Sequence, residues 1–252
     1  MMHAENPFAT FGIRHLSPSA IFTFIASPAM FILEKVLGER QPVGPSAHRG
    51  SAVEEGVLAA LNGASVAEAV AKAEATFARL TALSTDKTRD KEAAGIAGMV
   101  EQGFVALERY GPPSATQGAV ERRVEGLAVP IVGYFDFAWD HLGIVIDLKT
   151  AHAMPSAIRT THARQAAFYG ACLGDNWQPR VCYATPKKQR DAAVESPREH
   201  VAVLERCALK IQTFLSASAD PDWFKAAIAP DVDHYMFAPP RARQAAWEAF
   251  GV

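Results

Sequence analysis

Asp136, Asp147 and Lys149 are the residues on which this chain could build chemistry. They lie in the stretch Gly133 to Thr150, G-Y-F-D-F-A-W-D-H-L-G-I-V-I-D-L-K-T. Its period of two on either side of Asp140-His141-Leu142-Gly143 predicts two strands joined by a short turn. Phe135, Phe137 and Trp139 then share one face, and Tyr134, Asp136 and Ala138 share the other. In the second strand Ile144, Ile146 and Leu148 lie opposite to Val145, Asp147 and Lys149. With the turn centred between His141 and Leu142, Asp136 faces Asp147, Phe135 faces Leu148, Phe137 faces Ile146 and Trp139 faces Ile144. Opposed Cβ atoms on such strands are roughly 4.5–5.5 Å apart, and like charges placed there destabilise the sheet. A divalent cation between the carboxylates would turn that repulsion into binding. Mg²⁺ suits it, being held by one or two carboxylates while keeping waters for phosphate oxygens. Lys149 points to the same side as Asp147, within reach of a water or a phosphate. The local chemistry is metal-assisted hydrolysis of a phosphodiester. A turn slipped by one residue would separate the two acids, so the reading depends on register.

Two further clusters agree. In Arg49-Gly50-Ser51-Ala52-Val53-Glu54-Glu55, either Glu54 or Glu55 could give a third carboxylate. An exposed helical acid is the commoner case. Glu54, beside Val53 and one turn before Val57 and Leu58, borders the buried stripe and is the better placed. His162, Gln165 and Tyr169 fall on one face of a later helix, where an amide and a phenol could meet a phosphate or a base. The same spacing also describes a polar stripe at the edge of a core. Arg122, Arg123, Arg159, Arg164, Lys187, Lys188 and Arg190 could line a nucleic-acid groove, although basic residues are ordinary surface.

The elements that must position these residues follow in chain order. Ser17-Pro18 and Ser27-Pro28 each read as an N-cap followed by proline at the first helical position. Gln41 to Ala47 is a loop. A helix runs from about His48 to Leu61, with Val53, Val57, Leu58 and Leu61 buried. Ser65 to Glu68 is a capping box opening a helix to about Leu83. Lys87 to Tyr110 reads as one long helix ended by Gly111-Pro112-Pro113, so the first 110 residues are almost all helical. Val120 to Glu125 is a strand, and Glu125-Gly126 a turn. Leu127 to Trp139 returns as the next strand, with Pro130 at an edge or bulge. Beyond the hairpin, Ser156 to Leu173 is a helix and Arg180 to Thr185 a strand. Ser196 to Glu199 is a second capping box, opening a helix through Leu215. Pro221 to Ala227 is a short helix, followed by an aromatic segment. No repeat, low-complexity tract or P-loop is present, which argues against a built-in ATP motor.

Composition bounds the rest. The chain has 252 residues, 49% of them hydrophobic, and mean hydropathy near zero. That is enough for a substantial core in one domain with helical additions. No apolar run approaches the roughly 18 residues of a membrane span. The start, M-M-H-A-E-N-P, lacks the basic and apolar parts of a signal peptide. Cys172, Cys182 and Cys207 are too few and scattered for a disulfide framework or zinc site, which fits a reducing cytoplasm. A net charge of −2 neither announces nor excludes a nucleic-acid binder.

Together these residues resemble the PD-(D/E)XK nuclease superfamily, and within it the RecB-like exonuclease branch. That branch is similar in the order of its parts: an R-G-x-x-x-(H/E) helix, a G-x-x-D strand, a (D/E)-x-K strand and a Q-x-x-x-Y helix. Here they are Arg49-Gly50 to Glu54, Gly133 to Asp136, Asp147 to Lys149 and Gln165 to Tyr169. The likeness covers roughly residues 16–186, and the opening Leu16-Ser-Pro-Ser19 through Ser27-Pro28 shares it. The resemblance implies an α/β (α+β) fold: a central mixed β-sheet flanked by helices, a restriction-endonuclease-like core behind a helical N-terminal region. It implies one nuclease domain over 1–252: a helical part at about 1–112, a sheet core at about 118–186 and a helical C-terminal part at about 196–252. It further implies Mg²⁺ or Mn²⁺ and hydrolysis of DNA. Asp136, Asp147 and Glu54 would be metal ligands, with the Leu148 carbonyl completing the shell. Lys149 would position or activate the attacking water and stabilise developing charge. Gln165 and Tyr169, with His162 and Arg159, would shape the substrate side.

Members with an iron–sulfur cluster carry one cysteine just before the early S-P and three near the C-terminus. Here Ala26 precedes Ser27-Pro28 and no cysteine follows Cys207, so no cluster is expected. The expectation is a stand-alone DNA exonuclease of recombination, repair or phage DNA processing in a bacterial or phage-infected cytoplasm. It would act alone or with a recombination or helicase partner. The rivals are a structure-specific endonuclease, a catalytically degenerate fold that only binds nucleic acid or protein, and a helical scaffold whose hairpin acids are surface charge.

Overall fold

In the computed structural model, residues 6–251 are described; Met1 to Glu5, part of the start read above for a signal peptide, lie outside them. The helices before the sheet are α1 (Pro7–Thr10), α2 (Pro18–Ala26), α3 (Pro28–Phe31), α4 (Pro45–Leu61), α5 (Val66–Leu80), α6 (Arg89–Ala93) and α7 (Ile96–Leu107). The strands are β1 (Ala115–Arg122), β2 (Ile131–Trp139), β3 (Ile144–Thr150), β4 (Gln178–Ala184) and β5 (Gln189–Ala193). Helix α8 (Thr160–Leu173) joins β3 to β4, and α9 (Pro197–Leu215), α10 (Pro221–Ala227) and α11 (Pro240–Phe250) follow the sheet. The sheet runs β1-β2-β3-β4-β5 and is mixed: β2–β3 and β4–β5 are antiparallel, β3–β4 parallel. This is the α/β fold expected. Among the described residues no helix is long and apolar enough to cross a membrane.

Two compact units divide the chain. One comprises Val43–Val120 and Tyr134–His200 and holds the hairpin. Its register is the expected one, with Phe137 opposite Ile146 and Trp139 opposite Ile144. The turn closes on Gly143, whose φ of 61° costs a glycine nothing. Phe137, Trp139, Ile146 and Leu148 pack with Val53, Val57, Met99 and Val100 of α4 and α7 in one core. A large apolar side chain fully buried there contributes about 1.5–3 kcal/mol. Trp139 also donates its Nε1–H to the Gly111 carbonyl at 2.9 Å. Helix α8 packs against β3 and β4.

The second unit contains the described residues within Met1–Pro42, Glu121–Gly133 and Val201–Val252. Phe24, Phe31, Phe214 and Phe224 stack edge-on or tilted in its interior. Ser17 caps α2 by accepting from the Ala20 N–H at 3.1 Å, and Ser27 caps α3 through the Met30 N–H at 3.2 Å.

Several boundaries differ from expectation. The Ser65–Glu68 capping box forms in full, but Ser196 has φ 46° and makes no cap; an N-cap needs extended backbone. The long helix predicted over 87–110 breaks at Ala94-Gly95, because glycine weakens a helix interior. Strand β1 lies earlier than Val120–Glu125, and β2 begins only at Ile131. Pro130 has no N–H for a ladder; its carbonyl instead accepts from the Leu16 N–H, and Leu16 bridges Ile131. Helix α4 starts at Pro45, three residues before His48, and α8 at Thr160, four after Ser156. Helices α1 and α11 and strand β5 were not foreseen. Gln189 to Ala193 has neither alternation nor branched residues, and only pairing with β4 makes it a strand.

Candidate active site

Pairing of β2 with β3 extends only to Phe137 and Ile146. Past that point Asp136 takes over the role of the ladder: its Oδ2 accepts from the Leu148 N–H at 2.7 Å. Leu148 thus enters the site through its backbone, while its side chain belongs to the core. Asp147 is almost wholly buried, at 1% exposure. The Lys149 ammonium lies 3.0 Å from its Oδ1 and 2.8 Å from its Oδ2. Only the Oδ1 contact has hydrogen-bond geometry, so Oδ2 is paired by charge but accepts no hydrogen bond.

Helix α4 adds Glu54, whose Oε1 accepts from the Gln117 side-chain amide of β1. The structure separates the two candidate glutamates. Glu55 instead accepts from the Thr76 hydroxyl at 2.7 Å, tying α4 to α5. Burial raises the Glu54 carboxyl pKa, and Asp147 adds to it against the Gln117 hydrogen bond. Burial, then Asp147 and Glu54, hold the Asp136 carboxyl well above the usual range. Burial likewise raises Asp147, opposed by Lys149. For Lys149, burial favours the neutral amine, but Asp147 and Asp136 outweigh it and the group stays an ammonium. These four side chains form one electrostatic unit with three carboxylates against one cation.

Helix α8 carries the remaining candidates. Gln165 donates to the Tyr169 hydroxyl at 2.7 Å. Burial raises the Tyr169 phenol, with Asp147, Asp136 and Glu54 adding to it, so it faces the carboxylates. His162 pairs through Nδ1 with the Tyr183 hydroxyl at 2.8 Å. Burial, with Lys149 and Arg159 nearby, lowers its pKa to about 4. Arg159 is exposed, and its backbone N–H donates to the Tyr183 hydroxyl at 3.1 Å. Among the other basic candidates, Arg122 and Arg123 are spent on Glu205 and Glu121. Arg190 lies over the Tyr183 ring and donates to the Ser156 carbonyl.

Sequence reasoning missed three contributors. Gln117 carried no signal at all. Tyr183 sits in the expected strand Arg180–Thr185 but received no role. Glu92 is buried and ion-paired with Arg49. Arg49 also donates to the Thr150 hydroxyl and carbonyl at 3.2 Å each, and His152 joins at 3.0 Å. This strut ties the start of α4, which carries Glu54, to the residue after Lys149.

An all-oxygen set of carboxylates that repel one another fits a hard divalent cation, which needs only one or two of them. The buried Asp147 Oδ2 with no hydrogen bond is a further open acceptor. Among the described residues no three acidic, histidine or cysteine side chains are already drawn together as a cage.

Among solved structures, that of a proposed exonuclease from Eubacterium rectale aligns at 13% identity with a TM-score of 0.58. It covers 91% of this chain and 87% of that one. A second, SSO0001, aligns at 17% identity and a TM-score of 0.39, over 79% of this chain and 91% of that one. No curated protein matches significantly by sequence. The PD-(D/E)XK nuclease superfamily profile, by contrast, matches residues 15–234, a span holding every side chain of the site just described. With hairpin, lysine and flanking helices in the expected register, the chain belongs to the PD-(D/E)XK nuclease superfamily.

Proposed function

We propose that this chain is a Mg²⁺- or Mn²⁺-dependent DNA exonuclease serving recombination, repair or phage DNA processing. The observation that carries the reading is the group of buried Asp147 and half-buried Glu54 and Asp136, with Lys149 among them. A fold with no use for this excess of negative charge would not gather it beside an apolar core. Asp136, Asp147 and Glu54, with the Leu148 carbonyl, would hold the cation. When bound, it would neutralise the carboxylates and polarise the phosphodiester. Lys149, fixed by Asp147, orients the attacking water with an N–H and stabilises charge developing on the phosphate oxygens. Gln165, Tyr169 and His162 offer donors on the α8 side, and Arg159 offers a cation to the DNA backbone. The exonuclease assignment rests on the RecB-like order of motifs.

The test is digestion of end-labelled linear DNA and closed circular DNA with Mg²⁺, Mn²⁺ or EDTA, beside Lys149→Ala. Loss of linear DNA alone, abolished by EDTA and by the substitution, is expected, and the label then gives polarity. Cutting of circles would make it an endonuclease. A folded protein that binds DNA but cuts neither form would be a binding module.

A further inference from the structure

We propose that Gln117 is a positioning residue of this site: a strained backbone aims its side-chain amide so that Glu54 is held toward the cation. Gln117 lies within β1, yet its φ is 50°. Non-glycine residues rarely adopt that left-handed conformation, and when they do it is most often glycine-like turn positions or asparagine and aspartate that tolerate it. Backbone strain of this sort persists where the surroundings impose it, and it gathers at functional sites.

Two contacts flank it. The next residue is Gly118, where a Cβ would come within 2.1 Å of the Phe135 ring. Phe135 therefore fills the space that a side chain at 118 would need, and it immediately precedes Asp136. On the other side, the Gln117 amide donates to Glu54. A local left-handed residue in an edge strand swings its side chain out of the regular alternation, and here that side chain goes to α4.

The fold alone gives no reason for glutamine here. Gln117 is exposed, and its one side-chain hydrogen bond is to Glu54. Glycine or asparagine would fill the position at less conformational cost. Asparagine, one methylene shorter, would bring its amide up short of the carboxylate. The length and the donor of glutamine are what the position uses.

This inference rests on the cation-binding reading above, and the experiment separates the two. Full-length wild type, Gln117→Gly and Gln117→Asn are melted without cation and across a Mn²⁺ titration, and their cleavage of linear DNA is resolved into kcat and KM. Both variants are expected to melt at or above wild type without cation, because strain is relieved. Both are expected to need roughly 10–100-fold more Mn²⁺ for half of the stabilisation, the usual loss when the partner of a ligand is removed. Their kcat falls with it. Gain of stability together with loss of Mn²⁺ affinity is a pairing that a merely structural role would not give. Wild-type Mn²⁺ midpoints and kcat in both variants would overturn the positioning role while leaving the site intact. So would a fall in cation-free melting that parallels the loss of activity. No Mn²⁺ response in the wild type itself would overturn the cation site, and the role of Gln117 with it.

Discussion

Helix α4 contributes to two charge clusters little more than a turn apart, one buried and one half-buried, and they are built on opposite principles. At Arg49 the charges balance: the guanidinium meets Glu92, and its remaining donors go to Thr150 and His152. At Glu54 they do not: three carboxylates share one lysine, burial raises the pKa of all three, and repulsion from Asp147 adds to it at Glu54 and Asp136. A buried ion pair contributes little net stability but is costly to break, because the survivor is left uncompensated. The first cluster is therefore a fastening, whereas the second leaves a deficit of positive charge for something outside the chain to supply.

The contrast can be broken at the fastening. Glu92→Ala should cost about 3–5 kcal/mol in chemical denaturation, the usual consequence of stranding a buried charge. A loss within 1 kcal/mol would show that Thr150 and His152 suffice for Arg49. At the other cluster, Mg²⁺ at a hundred times its dissociation constant should stabilise the wild type by about 2.7 kcal/mol. Asp147→Asn should lose that gain, and an undiminished shift would remove Asp147 from the cation site.

Without cation the same substitution should act in the opposite direction. Replacing one of three mutually repelling carboxylates with an amide should raise the melting temperature by about 2–4 °C, the shift expected of roughly 1 kcal/mol in a chain of this size. A fall of similar size would mean that the Lys149 pair outweighs the repulsion. The last effect concerns His162 and appears only on acidification. Its folded pKa is about 4, below the unfolded value of about 6.5. The unfolded chain therefore takes up a proton first, and stability is lost as pH falls from about 6.5 to about 4. His162→Gln should flatten that part of the melting-temperature profile, and a profile parallel to the wild type would sink the assignment.

How much of this was legible depended on how far apart the cooperating residues lie in sequence. The hairpin was readable because its alternation and its Gly143 turn are local, so the pairing of Phe137 with Ile146, each next to one of the two aspartates, followed from spacing alone. The choice between Glu54 and Glu55 was half-readable: the buried stripe favoured the first, but the Thr76 hydroxyl that claims the second lies on another helix. Glu92 looked like any helical acid, since nothing in its neighbourhood announces Arg49, 43 residues earlier. Gln117 was invisible for a different reason. A positive φ at glutamine contradicts its intrinsic preference, and the carboxylate it reaches lies on a helix 63 residues earlier.

Tyr183 decides which proton His162 carries. Its hydroxyl is buried with the rest of the side chain, at 1% exposure, and accepts the Arg159 N–H. Among the described residues its single hydrogen then has one acceptor within reach, Nδ1 of His162; were it to accept there too, that hydrogen would be buried unpaired, which interiors avoid. The neutral imidazole is thereby fixed as the Nε2–H tautomer. Nε2 then carries the proton and is an uncharged hydrogen-bond donor.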